Sequence, residues 1–253
     1  MNPTRVVILT PVARQIDPGT VRDLVRPGDR LICADGGAAL ALDLGLVPDL
    51  VVGDFDSLDE ATLERVRAVC PVRGFPRRKD KTDTHLAIEA ALELFQKEVL
   101  RSEETSRPGD AALPAEGAPE LVICGALGDR FDHSLGLVLL LAGLAEATGV
   151  AAPAPGLPRV RLVGARQEAF VLGPGHGVEL VGRPGDTVSL LPLTPEVSGV
   201  TTAGLAYPLA GAALRWGETL GVSNEMTGTR AAIETGRGVL LVTRLEVKAW
   251  VGE

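Results

Sequence analysis

Along the first 150 residues, short unbroken apolar runs alternate with longer stretches in which apolar residues return every three or four positions. The runs are 5–10 (RVVILT), 30–34 (RLICA), 49–52 (DLVV) and 121–124 (LVIC). Each has strand length, and continuous apolarity is what a strand covered on both faces requires. The stretches between them read as helices. Residues 37–46 are rich in Ala and Leu and stop near Pro48, 59–69 open with an acidic first turn, and 82–99 place Leu86, Ala90, Ala91, Leu94 and Phe95 on one stripe. Residues 135–147 are apolar nearly all round, the pattern of a buried helix. Strands alternating with helices predict a parallel sheet with helices on both faces.

Two stretches interrupt this rhythm. Residues 101–119 (RSEETSRPGDAALPAEGAP) are polar and rich in Pro, Gly and Ala, long for a helix-to-strand connection, and read as a mobile insertion. Residues 150–158 carry two Ala-Pro steps and mark a linker. Beyond it, β-prone runs follow at 159–163, 168–172, 177–180, 187–191, 199–202 and 239–246, punctuated by GPG, GRPGD and PLTP. That spacing predicts an antiparallel sandwich. The fold class is therefore α/β plus all-β: a Rossmann-like parallel sheet flanked by helices over 1–149, then a β-sandwich over 159–253.

Composition narrows the class further. With 45% apolar residues the chain can build a core, and with 3% aromatics that core must be aliphatic. The longest apolar run, 135–145, has eleven residues. A spanning helix needs about 20, and no signal-like segment opens the chain, so a cytoplasmic, membrane-free protein is expected. Cys33 and Cys124 sit in apolar runs and Cys70 precedes Pro71, which reads as buried inert thiols rather than a disulfide or zinc framework. The net charge is −8, and residues 1–149 hold 24 acidic against 16 basic side chains. A nucleic-acid partner would require a basic stripe, and this balance argues against one.

In an open parallel sheet, ligands bind beyond the carboxyl ends of the strands. There the chain places Asp35-Gly36-Gly37, then Gly53-Asp54-Phe55-Asp56-Ser57, then Lys79-Asp80-Lys81-Thr82-Asp83, and lastly GALGDRFDH at 125–133. Six aspartates (35, 54, 56, 80, 83 and 132) converge on one edge and would repel each other without a cation. Mg²⁺ is the natural one, being hard, oxygen-seeking and commonly shared with substrate phosphates. Asp54 and Asp56 in extended backbone would point to one side. Gly36-Gly37 could bring helix amides to a phosphate, though tight packing explains them equally well. Arg73, Arg77, Arg78, Lys79 and Lys81 make a basic turn, with Lys81 lying between two site carboxylates, and Arg130 and His133 flank Asp132. His85 and His176 have no partner suggesting zinc. No P-loop, GxGxxG or Gly-x-Ser-x-Gly is present, which leaves metal-assisted transfer at phosphorus.

These motifs resemble the thiamine pyrophosphokinase (thiamine diphosphokinase) family: ADGGA at 34–38, PDLVVGDFDSL at 48–58, KDKTDTHLAI at 79–88, GDRFDH at 128–133, GVTTAGLAYPL at 199–209 and GVSNE at 221–225. Departures are the long 101–119 segment, Asp129 in place of a second Gly, and Gly136 where Asn is common. The resemblance implies transfer of a pyrophosphoryl group from ATP to thiamine, giving AMP and thiamine diphosphate, with Mg²⁺. It also implies a homodimer with thiamine between the α/β domain of one subunit and the β domain of the other. Asp54, Asp56 and Asp83 become the catalytic metal carboxylates. Asp35, Gly36, Gly37, Asp80, Lys81, Thr82, Arg130, Asp132 and His133 border the nucleotide, and Tyr207, Ser223 and Asn224 face thiamine. A nucleotide-sugar transferase using Asp-x-Asp, or a non-catalytic thiamine- or nucleotide-binding regulator, stands as the alternative.

Overall fold

The chain is represented by a computed structural model describing residues 5–105, 119–147 and 159–247. Most of the expected insertion and the whole of the expected linker lie outside the described residues. The chain divides into two units, Met1–Ser134 with Pro153–Ala165, and Leu135–Ala152 with Arg166–Glu253. Residues 159–164, expected to begin the second domain, pair in parallel with the strand at 120–127 and complete the first unit's sheet. Among the described residues, no helix is long and apolar enough to cross a membrane.

The first unit is built on β1 (Arg5–Leu9), β2 (Arg30–Ala34), β3 (Leu50–Gly53), β4 (Val72–Gly74), β5 (Glu120–Leu127) and β6 (Arg159–Gly164), of which the first domain's apolar runs anticipate β1, β2, β3 and β5. Their order is β6-β5-β1-β2-β3-β4, all parallel. Val7, Leu9, Leu31, Cys33, Val51 and Val122 share one core cluster with Val21, Ala38, Leu40, Ala41 and Val66. Those last residues come from α1 (Pro18–Leu24), α2 (Gly37–Asp43) and α3 (Glu60–Val69). The alternate positions Val6, Ile8, Ile32 and Val52 are also fully buried, and α4 (Asp83–Thr105) packs on β1, β2 and β3. Both faces of the sheet are thus covered, which is why its strands read as unbroken apolar runs. Asp17 and Asp59 cap α1 and α3 by accepting from the backbone amides of Thr20 and Thr62. The last helix, α5 (Phe131–Ala147), begins on the GDRFDH motif, four residues before the expected start.

The second unit has two antiparallel sheets. β7 (Gln167–Leu172), β9 (Thr187–Pro192), β12 (Asn224–Glu225) and β14 (Leu240–Leu245) run in the order β12-β9-β14-β7. β8 (Gly177–Val181), β10 (Glu196–Ala203), β11 (Ala212–Arg215) and β13 (Arg230–Glu234) run β11-β10-β13-β8. Leu172, Val188, Leu190, Leu240 and Val242 from the first sheet share a core with Leu180, Val197, Val200, Leu214 and Ile233 from the second. Strands such as β13 alternate exposed and buried positions, as a sandwich with one wet face requires. A buried ion cluster ties the unit together: Arg244 lies 2.7 Å from both Glu168 and Asp186.

The cysteines are buried free thiols. Burial raises all three: Cys124 is pushed up to about 12, Cys33 is well above the ordinary thiol range, and Cys70 is raised. None is available as a nucleophile.

Candidate active site

The parallel register brings the carboxyl ends of β2 and β3 level, pairing Ala34 with Val52. Asp35, the next residue, donates its amide to the Val52 carbonyl at 2.8 Å and lies against Gly53. A Cβ at Gly53 would stand 3.1 Å from both Cα and Cβ of Asp35, so glycine is what permits the approach. Asp35 adopts a left-handed backbone (φ 44°) and is buried, with Oδ2 accepting from the Ser57 hydroxyl and Oδ1 without a hydrogen-bond partner among the described residues.

Asp54 and Asp56 follow β3. The expectation of an extended Asp-x-Asp is corrected here: Phe55 is left-handed (φ 62°), with its ring packed against the core. The turn brings the Asp56 amide to Asp54 Oδ1 at 3.2 Å. Asp35, Asp54 and Asp56 each offer a carboxylate oxygen, and the three lie within 4.8 Å of one another. Of three non-glycine residues with positive φ among those described, Asp35 belongs to this cluster and Phe55 lies between its other two aspartates. Such conformations cost about 1–3 kcal/mol each and persist where the surroundings hold them in place.

Cations come from the connection between β4 and α4. Lys79 Nζ lies 2.7 Å from Asp54 Oδ2 and 3.0 Å from Asp83 Oδ1, and Arg77 Nε lies 2.9 Å from Asp56 Oδ2. The hydrogen bond from Lys79 holds the Asp54 carboxyl below the usual carboxylate range. For Asp83 burial dominates and its carboxyl is raised despite Lys79. Burial also opposes the Lys79 charge, but its bonds to the two carboxylates outweigh this and hold the ammonium above the ordinary lysine range.

Among the described residues, no hydrogen bond or ion pair ties Asp80, Lys81, Thr82, Arg130, Asp132 or His133 to Asp35, Asp54 or Asp56. Lys81 does not sit between the carboxylates; it pairs with Glu89 at 2.7 Å. Thr82 caps α4 by accepting from the His85 amide, and Asp80 is exposed. Arg130 and Asp132 pair with each other at 2.6 Å on the surface, with His133 exposed beside them. Gly36 and Gly37 answer to packing: a Cβ at Gly36 would meet Ser57 Oγ at 2.8 Å, and one at Gly37 would overlap the Leu9 carbonyl.

In the second unit, the Tyr207 side chain is exposed (72%) on the loop after β10. Asn224 is buried beneath that loop: its Oδ1 accepts from the Tyr207 amide at 3.0 Å and its Nδ2 donates to the Tyr207 carbonyl at 2.7 Å. Ser223 is left-handed (φ 59°), and its amide donates to Ser189 Oγ. Asn224 is therefore a support for the tyrosine, with its amide group already engaged.

Residues 21–150 match the family model described as thiamin pyrophosphokinase, catalytic domain, and residues 176–240 match that described as thiamin pyrophosphokinase, vitamin B1 binding domain. The chain belongs to the thiamin pyrophosphokinase family. A thiamine pyrophosphokinase of Bacillus subtilis is 27% identical over 215 residues, 84% of this chain and 86% of that protein. The crystal structure of a thiamine pyrophosphokinase from Bacillus subtilis superposes with a TM-score of 0.70 at 23% identity, covering 96% of this chain and 98% of that one. The thiamin pyrophosphokinase of Candida albicans also gives 0.70, at 17% identity, covering 96% and 90%. The catalytic model spans the whole carboxylate cluster, and the vitamin B1 model spans Tyr207, Ser223 and Asn224.

Three residues at the thiamin pyrophosphokinase-type cluster escaped sequence reasoning: Gly53 as the seat for Asp35, Ser57 as its hydrogen-bond donor, and Lys79 as the bridging cation. None left a local signal: Lys79 and Lys81 both precede α4, and only the fold sets the first beside Asp54 and Asp83 and the second beside Glu89.

Proposed function

We propose that this chain is a thiamine diphosphokinase, transferring the pyrophosphoryl group of ATP to the thiamine hydroxyl and releasing AMP. The observation that carries the reading is the Asp35–Asp54–Asp56 cluster, in which a buried carboxylate oxygen has no hydrogen-bond partner among the described residues, within a chain of the thiamin pyrophosphokinase family. An unpaired anionic oxygen removed from water is costly, and a hard cation would satisfy it. A set of carboxylate oxygens fits Mg²⁺, which when bound would neutralise and orient phosphate oxygens.

The residues of the chain then take defined roles. Asp35, Asp54 and Asp56 hold the ion, and Asp83 is tied to them through Lys79. This departs from the resemblance, which names Asp83 as a ligand and places Asp35 beside the nucleotide. Gly53, Phe55 and Ser57 fix the carboxylates before substrate arrives, so that little reorganisation accompanies reaction. Arg77 and Lys79 supply positive charge where polyphosphate would otherwise meet only aspartates. Arg130, Asp132 and His133, at the start of α5, border the nucleotide. An acidic site also suits the cationic thiazolium of thiamine. The exposed Tyr207 ring provides a face on which that cation can stack, held by Asn224. The protein is proposed to act as a cytoplasmic homodimer, which light scattering of the purified chain would check.

The test is direct. Pure protein incubated with ATP, Mg²⁺ and thiamine should give AMP and thiamine diphosphate in equal amounts, with no AMP when thiamine is omitted. Formation of ADP, or no turnover, overturns the reading and returns attention to a sugar-nucleotide transferase or a regulator.

A further inference from the structure

Each oxygen of Asp54 is already engaged: Oδ1 accepts from the Asp56 amide at 3.2 Å, and Oδ2 is 2.7 Å from Lys79 Nζ. Asp54 and Lys79 are both largely buried, their side chains 12% and 13% exposed. Lys79 Nζ also lies 3.0 Å from Asp83 Oδ1, an ion-pair contact to a buried oxygen that makes no hydrogen bond among the described residues. The lysine thus links the loop after β3 to the first turn of α4. By contrast, Arg77 at Asp56 is 80% exposed and strongly screened by water.

We propose that Lys79 is an exchangeable counter-cation: it occupies the Asp54 carboxylate in the metal-free protein and gives that carboxylate up when a divalent ion enters. Lys79 then stays on Asp83 and turns its freed N–H bonds toward the phosphate oxygens that arrive with the ion. Three features of the residue suit it to this. An ammonium is a compact point charge with three donors, so it can hold two carboxylates at once. Its four-carbon stem is flexible, so it can change partner without moving backbone. It also bridges two elements, so releasing Asp54 leaves it anchored on Asp83. The Asp35 oxygen without a partner lies in the same cluster and is the natural first contact for an incoming ion, before Asp54 is exchanged. The inference rests on the metal-holding role proposed above for the three aspartates.

The experiment is Mn²⁺ binding by calorimetry with neither ATP nor thiamine present, on the parent, Lys79→Met and Lys79→Arg. A single opposing charge within about 4–6 Å changes a carboxylate's affinity for a proton by about 10- to 1000-fold. Removing the competing ammonium should therefore tighten Mn²⁺ binding by at least about tenfold in Lys79→Met. Lys79→Arg keeps the charge and should stay near the parent. Without metal, Lys79→Met should melt lower than the parent, and Mn²⁺ should close most of that gap, which loss of ordinary packing would not show. If Lys79→Met fails to fold, Lys79→Gln takes its place. Mn²⁺ binding to the uncharged variant that is no tighter than to the parent, or absent from both, overturns the proposal. Failure of the thiamine reading looks different: Mn²⁺ binding responds to Lys79 as described, but no AMP is formed with ATP and thiamine.

Discussion

A methyl group at Gly53 would stand 3.1 Å from Cα and Cβ of Asp35, tighter than ordinary contact, so Gly53→Ala must push Asp35 aside. The cost falls on the site more than on the fold, because Asp35 lies at the end of a strand. Misplacing a catalytic group by about 1 Å can cost about 100-fold in rate. The shift Asp35 must make is smaller, a few tenths of an ångström, so Gly53→Ala should lose turnover by less than that, about tenfold, while its circular dichroism remains that of the parent. Asp54→Asn and Asp56→Asn each remove a carboxylate charge from the cluster and should abolish turnover with the fold retained. Near-normal rates in both would exclude them from the metal-holding set. At this scale the sequence displays which residue types are present but not which of them meet. GDFDS and KDKTD announce carboxylates and lysines. The choice of Lys79 over Lys81, and the inclusion of Asp35, depend on the β2–β3 register and on the left-handed turn at Phe55, neither of which any local pattern records.

Elements were legible in proportion to their burial. β1, β2, β3 and β5 are covered on both faces and appear as apolar runs. β4 is an edge strand of three residues, VRG, two of them exposed, and carries no such signal. The one-turn helix at Pro11–Gln15 and α1 went unread as well, the first too short for a period and the second with one buried residue. In the second unit, β11, β12 and β13 have two to five residues each, and their alternation is too brief to stand out. β12 nevertheless carries the support for the Tyr207 loop, since Asn224 begins it and grips Tyr207 at both backbone groups. Asn224→Ala removes both of its bonds to the Tyr207 backbone, at about 0.5–1.5 kcal/mol for each. The variant should melt below the parent, and its KM for thiamine should rise with little change in the KM for ATP. Equal rises in both would mean that the loop does not serve thiamine.

For the molecule as a whole, the net charge of −8 belongs to the first 149 residues, and the aspartates gathered at the sheet edge contribute to it. Three of those aspartates form the Asp35–Asp54–Asp56 cluster, and Arg77 and Lys79 already pair with two of them. The remaining residues carry balanced charge, and there the acid chemistry is structural. Asp186 is 2% exposed, accepts from the amides of Arg183 and Val247, and pairs with Arg244. Burial alone would raise its carboxyl, but those bonds prevail and hold it below the usual range. The sign of the linkage follows. A carboxyl whose folded pKa is depressed leaves the unfolded chain binding more protons, so stability increases with pH across the interval between the two values. The contribution of Asp186 is complete above the unfolded carboxyl value of about 3.9 and is lost as pH falls through the lower folded value. Melting temperature should therefore drop as pH falls below the unfolded carboxyl value of about 3.9, and Asp186→Asn should melt lower at neutral pH but with a shallower acid slope. The same slope in parent and variant would show that acid unfolding starts elsewhere. Added Mg²⁺ discriminates further. If the first unit's aspartates dominate acid unfolding, Mg²⁺ at pH 5 will raise the midpoint and steepen the loss below it. If the Asp186–Arg244 cluster dominates, Mg²⁺ will leave the acid limb where it was, because the ion has no partner in that cluster that Arg244 does not already hold.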